Sequence, residues 1–234
     1  MGDPFMTLAE WPLNFRRKET ILPLNAMETK KLNERAKLDV LLKRLLQSDG
    51  FMPSSIDVSE RPDFIITVAD KKIGVEVTLS AYEEHVRASV LQNSNYPFLW
   101  VNTTHFRSGP PRRTNAELAQ SIGYGAILQP WRPVEAVLLD WKRKTGAVLS
   151  SKRQKLNQPD YEVFDRNWLL IDDYPPLSMH DLIQLRAEQH LSALFWEQST
   201  HARDFDTVFV HSGDCLFCCH EGELLLAPLS TKTN

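Results

Sequence analysis

Two acids, Asp63 and Glu76, stand in the stretch RPDFIITVADKKIGVEVT at residues 61–78 with a spacing that suits joint chemistry. Glu76 interrupts a run whose side chains alternate. Ile73, Val75, Val77 and Leu79 would share one face of a strand, and Gly74, Glu76 and Thr78 the other. A carboxylate set into so apolar a strand is costly unless something pairs with it. What two such acids can do together is hold a hard cation, because Mg²⁺ takes oxygen ligands at about 2.0–2.1 Å.

The elements that must position them are two β-branched, apolar segments. Phe64–Val68 and residues 73–79 read as strands, joined across Ala69-Asp70-Lys71-Lys72 at hairpin length. A symmetric loop there sets Val68 opposite Ile73, Asp63 opposite Thr78 and Ile65 opposite Glu76. Asp63, Glu76 and Thr78 then point to one side. The two acids become diagonal neighbours, roughly 7–8 Å apart at the backbone. A three-residue loop would flip the parity and part them. Left to themselves the acids would repel across a partly dry surface, so the expected geometry asks for a divalent metal.

Pro62-Asp63, followed across an apolar hairpin by Glu76-Val77-Thr78 with Gly74 just ahead, resembles the PD-(D/E)xK superfamily of restriction-endonuclease-like nucleases. The resemblance covers roughly residues 34–173. It implies an α/β fold with a restriction-endonuclease-like mixed sheet core (helix, three-stranded meander, helix, strand). It also implies Asp63 and Glu76 as ligands of Mg²⁺ or Mn²⁺, with the Val77 carbonyl as a further ligand. The superfamily often adds a glutamate from its first helix, and Glu34 precedes Leu38, Leu41 and Leu45 on one stripe. Glu34 reads equally as a solvated first-turn acid that complements the helix dipole.

One departure matters. The lysine expected two residues after Glu76 is Thr78, whose hydroxyl can hold a water but supplies no positive charge. Variants of the superfamily place that lysine on a neighbouring element, which points to Lys152 first, then Lys155, with Lys71 and Lys72 behind. The opposing reading of Lys152 and Lys155 is a cation-rich helix C-terminus. Lys142, Arg143, Lys144, Lys152, Arg153 and Lys155 form a run with no acid among them. With Arg107, Arg112 and Arg113 they suggest a phosphate-tracking surface, for which Arg112, Arg113, Lys142, Arg143 and Lys155 are the candidates. Gln120 and Tyr124 form a Gln-x-x-x-Tyr pair similar to one carried by some recombination-type members, but a surface glutamine and a packed tyrosine is the favoured reading.

The tail offers a rival metal site in His211, Cys215, Cys218, Cys219 and His220. Cys-x-x-Cys suits half a zinc site. Against it, residues three apart on a strand point to opposite faces, so buried free thiols are expected instead.

Around these motifs the chain reads as helix over 27–48, short helix over 82–92 and a third strand over 98–106. A basic loop at 107–113 and helices over 115–128 and Val134–Leu156 follow, the latter interrupted by Gly146. Then come a buried strand over 167–172, the turn Tyr174-Pro175-Pro176, a C-terminal helix over 180–198 and a small β-meander from 207 to 228. Residues 1–26 read as an N-terminal arm, the first five having the look of a cloning remnant, and 27–234 as a single domain.

Composition agrees with a globular chain. Of 234 residues, 42% are hydrophobic and 24% charged, enough to build a core, and the net charge of −3 advertises no global basic field. No apolar run approaches the ~20 residues that span a bilayer. No charged-then-apolar leader opens the chain, and three clustered cysteines do not make a disulfide framework, so a cytoplasmic setting is expected. The expected activity is a metal-dependent endonuclease-like phosphodiesterase acting on nucleic acid, DNA foremost. In it Asp63 and Glu76 hold the metal, Thr78 positions water, Lys152 stabilises charge and Glu34 orients the hydration shell. A homodimer stays open. The alternatives are a catalytically inactive nuclease-fold module that binds nucleic acid or protein, and a zinc protein.

Overall fold

Leucines at positions 38, 41, 42 and 45 recur at helical spacing, and the computed structural model turns that stripe onto a sheet. It describes residues 26–81, 83–95, 113–124, 134–174, 202–213, 215–220 and 223–228. The elements run α1 (Ala26–Asp49), β1 (Ser55–Val58), β2 (Phe64–Val68), β3 (Lys71–Ser80), α2 (Glu83–Asn95), α3 (Asn115–Tyr124), α4 (Val134–Leu156), β4 (Arg166–Asp173), β5 (Thr207–Ser212), β6 (Cys215–His220) and β7 (Glu223–Pro228). The expected strand over 98–106 and helix over 180–198 lie outside the described residues, as do the arm up to residue 25 and Arg107 and Arg112. No helix among the described residues is long and apolar enough to cross a membrane.

The strands form one mixed α/β sheet of seven in the order β1-β2-β3-β4-β5-β6-β7. The first three make an antiparallel meander, β3–β4 and β4–β5 are parallel, and the last three are antiparallel again. Both faces are apolar. On one, Leu38, Leu41 and Leu42 of α1 pack on Phe64, Ile66, Val75 and Val77. On the other, Leu138, Trp141, Leu149 and Leu156 of α4 pack with Leu169, Ile171, Val208 and Phe217. Each such side chain fully buried is worth about 1.5–3 kcal/mol. Packing on both faces explains why β4 reads as a continuous apolar run. It also explains why α4 continues through Gly146: the glycine is buried, and the helix is anchored by leucines on either side of it.

Two features depart from expectation. The hairpin register is shifted by two residues: Phe64 pairs with Val75 and Val68 with Lys71. The turn is Ala69-Asp70 alone, with Ala69 in the left-handed region at φ 52°, and Lys71 and Lys72 belong to β3. The meander's remaining described strand is β1, ahead of β2, rather than a segment after α2.

Candidate functional site

Beyond Val75, β3 loses β2 as a neighbour but keeps β4, with which it pairs as far as Ser80. Glu76 is the first residue past this fork and is fully buried. Its face is set by alternation: Val75 and Val77 join the α1 core, so Glu76 points toward α4. Asp63 immediately precedes β2 and is 4% exposed. Continuing the observed register sets it across from Glu76, not from Thr78, and the shift by two preserves the common face. Asp63 Oδ2 accepts the N–H of Val77 at 2.9 Å, which ties it to the strand just beside Glu76.

Three ammonium groups reach these acids. Lys152 and Lys155, one turn apart on α4, donate to Glu76 Oε1 at 2.6 and 2.5 Å. Lys31 of α1 donates to Asp63 Oδ1 at 2.9 Å and to the Ser59 carbonyl at 3.0 Å. Burial alone would lower the Lys31 ammonium, but the hydrogen bond and charge of Asp63, aided by Glu34, outweigh it and hold its pKa above the ordinary value. Glu34 lies near the start of α1, its carboxylate 3.3 Å from Lys30 and 3.5 Å from Lys31. On the far side Tyr161 donates its hydroxyl to Glu76 Oε2 at 3.4 Å. Burial, then the charges of Glu76 and Asp63, push that phenol far above its ordinary range, so it stays a neutral donor.

The expectation that the acid pair is tolerable only with a dication is therefore corrected. Against the carboxylates of Asp63, Glu76 and Glu34 stand four lysines: Lys31, Lys152 and Lys155, with the mostly exposed Lys30 at 3.3 Å from Glu34. The donor chemistry nonetheless fits a hard cation. An ionised carboxylate offers about four lone-pair directions. Each Asp63 oxygen has one hydrogen bond, Glu76 Oε2 has only the long one from Tyr161, and the buried Glu34 Oε2 accepts none. Among the described residues no three His, Cys, Asp or Glu side chains converge as a ready metal cluster, so backbone or solvent oxygens would have to complete the ligand set.

A cavity of about 510 Å³ opens at the fork, with Lys30, Glu34 and Lys37 of α1 on one wall and Thr78 and Lys152 on others. Its lining carries three lysines and one acid among otherwise uncharged residues, and each lysine is ion-paired: Lys30 with Glu34, Lys37 with Asp172 at 2.6 Å and Lys152 with Glu76.

The remaining basic candidates have different fates. Lys155 joins Glu76 rather than a surface track. Arg143 is exposed and Lys142 half-buried on α4. Lys144 and Arg153, expected on the same basic surface, are buried and paired with Asp173 and Asp204. Arg113 is clasped by Glu84, through Nε at 3.1 Å and Nη2 at 2.6 Å. Gln120 is exposed; the side chain of Tyr124 lies outside the description. In the tail, Cys215 and Cys219 face the α4 core while Cys218 packs toward the α1 core. His211 contacts Asp172 and His220 contacts Thr207, and among the described residues no three His, Cys, Asp or Glu side chains of the tail form a metal-holding group.

Sequence patterning assigns no role to Lys31 or Tyr161. Lys31 meets an acid 32 positions away, which no local spacing reveals. Compared with family models, curated proteins and solved structures, the chain matches none.

Proposed function

We propose that the chain is a metal-dependent phosphodiesterase acting on nucleic acid, DNA foremost, with a restriction-endonuclease-like core in which the motif lysine has moved from position 78 to α4. The observation that carries this is the convergence of Lys152 and Lys155 on Glu76 Oε1 at 2.6 and 2.5 Å, beside the strand position where Thr78 supplies no charge. The helix order and the fork between β2 and β3 support the same reading.

In it, Asp63, Glu76 and the Val77 carbonyl would hold Mg²⁺ or Mn²⁺. A bound dication supplies polarisation of the phosphate and a lowered pKa for bound water. The protein's own groups do the rest. Lys30, 69% exposed, draws the phosphate backbone into the cavity, Lys37 being held by Asp172, and Thr78 holds the attacking water by its hydroxyl. Lys152 and Lys155 stabilise charge that builds on the phosphoryl oxygens, and Glu34 orients solvent at the cavity wall. Nicking of supercoiled plasmid in Mg²⁺ or Mn²⁺ tests this. It should stop with chelator and in both Asp63→Asn and Glu76→Gln, and nicking that survives both substitutions would overturn it.

That each of these acids already has a lysine partner favours a second reading, a nuclease-fold module that binds nucleic acid without cutting it. That module would retain DNA in the presence of chelator and cut under no metal condition.

A further inference from the structure

Lys31 is placed as a cation would be. Its ammonium lies 2.9 Å from Asp63 Oδ1, 3.0 Å from the Ser59 carbonyl and 3.5 Å from Glu34 Oε2. These oxygens come from α1, from the stretch after β1 and from the residue before β2. The polar atoms it meets are oxygens, two anionic and one neutral, the donor type of a hard divalent ion, with the Phe64 ring 5.8 Å away on a further side. The segment is braced, since Ser59 N–H donates to the Asp63 carbonyl at 2.9 Å. Glu34 Oε2 is buried and accepts no hydrogen bond, its contact with the ammonium being a 3.5 Å ion pair, while Oε1 lies 3.3 Å from Lys30. A buried carboxylate oxygen left this way is costly, and a smaller, doubly charged ion would draw it in.

We propose that Lys31 is a tethered cation filling one of two cation positions around Asp63, and that removing its ammonium opens a divalent-cation site formed by Asp63, Glu34 and the Ser59 carbonyl. The phosphodiesterase reading assigns the other position, on the Glu76 side, so the native site takes one ion and the protein itself supplies the second positive charge. Loss of Lys31 would leave two carboxylates with only Lys30 nearby, and Lys30 is 69% exposed. A dication restores the balance. To bind Mg²⁺ the oxygens must close to about 2.0–2.1 Å. Glu34, the most distant, moves furthest.

The proposal rests on the phosphodiesterase reading only for the first ion, and its test needs no nucleic acid. Purified wild-type protein, Lys31→Met, Lys31→Arg and the double variant Lys31→Met/Glu34→Gln are titrated with Mn²⁺. Bound ion is counted from the loss of the free-ion paramagnetic signal, and each melting temperature is followed in parallel. Lys31→Met should bind one Mn²⁺ per chain more than wild type and gain more in melting temperature from it. Lys31→Arg, which keeps the charge, should match wild type, and adding Glu34→Gln should abolish the extra site. If Lys31→Met fails to fold, Lys31→Gln, which keeps a donor toward Asp63, gives the same count.

Equal stoichiometry in wild type and the uncharged Lys31 variants overturns the proposal while leaving the metal-dependent reading standing if that stoichiometry is one. Zero in wild type with one in Lys31→Met supports the tethered cation and removes the native metal. Zero in both overturns both.

Discussion

The N–H of Val77 donates to Asp63 Oδ2 at 2.9 Å, so one acid of the site also closes the fork between β2 and β3. That carboxylate does two jobs: one oxygen replaces a missing ladder partner, and the other faces Lys31.

The two jobs separate by substitution. Asp63→Asn keeps an acceptor for Val77, whereas Asp63→Ala leaves a buried N–H without one, a loss of about 1–3 kcal/mol. Urea unfolding should show the alanine variant less stable than the asparagine variant by that amount, with cleavage lost in both. Equal stabilities would mean that the Val77 bond contributes nothing.

Gly74 stands against two rings. A Cβ there would lie 2.7 Å from Phe164 Cδ2 and 2.8 Å from Pro62 Cγ. Gly74→Ala must therefore displace Pro62, the residue before Asp63, and overpacking of this kind costs about 1–3 kcal/mol. Denaturant unfolding should register that loss, and cleavage should fall with it. A neutral substitution would show that the rings move freely.

Tyr161 is a neutral donor at every accessible pH. Tyr161→Phe should cost about 1 kcal/mol or less, given the 3.4 Å bond. It should lower the cleavage rate without moving either limb of the pH profile. A displaced limb would make the phenol a titrating participant.

His85 supplies a pH dependence remote from the acids. Burial first, and then the charge of Lys144, lower it to about 4, and it stacks on Tyr174. An unfolded histidine takes its proton near 6.5, so below that pH the unfolded chain binds more protons than the folded one. This contribution to stability is complete above about 6.5 and is lost as pH falls toward 4. His85→Gln should flatten the decline of the urea midpoint across that window. A decline of unchanged steepness would exclude His85 as its source.

Most of the scaffold was legible from periodicity. The Leu38, Leu41, Leu42 stripe marked α1, expected at 27–48 and found at Ala26–Asp49, and the expected limits of α4 and β2 are those observed. The register was not legible. An alanine at positive φ carries no turn signature, so the expected loop, 69–72, takes in Lys71 and Lys72, which are strand residues. The period of two rescued the essential inference, because a slip of two keeps every side chain on its face. β1 escaped notice because only Ile56 of its four residues is even half-buried. The α4 basic run does not lie on one surface. Helical rotation divides it, sending Lys144 and Arg153 inward to acids and Lys152 and Lys155 to Glu76.

In the proposed mechanism Lys152 and Lys155 together replace the absent motif lysine. Single-turnover cleavage of a labelled DNA duplex in Mg²⁺ measures it most directly, comparing wild type with Lys152→Ala, Lys155→Ala and the double variant. Because either ammonium can still serve Glu76, each single variant should slow cleavage by about tenfold, and the double by about 10²–10³ or more, the loss typical of removing a charge-stabilising donor. A double variant that cuts at the wild-type rate would contradict the account.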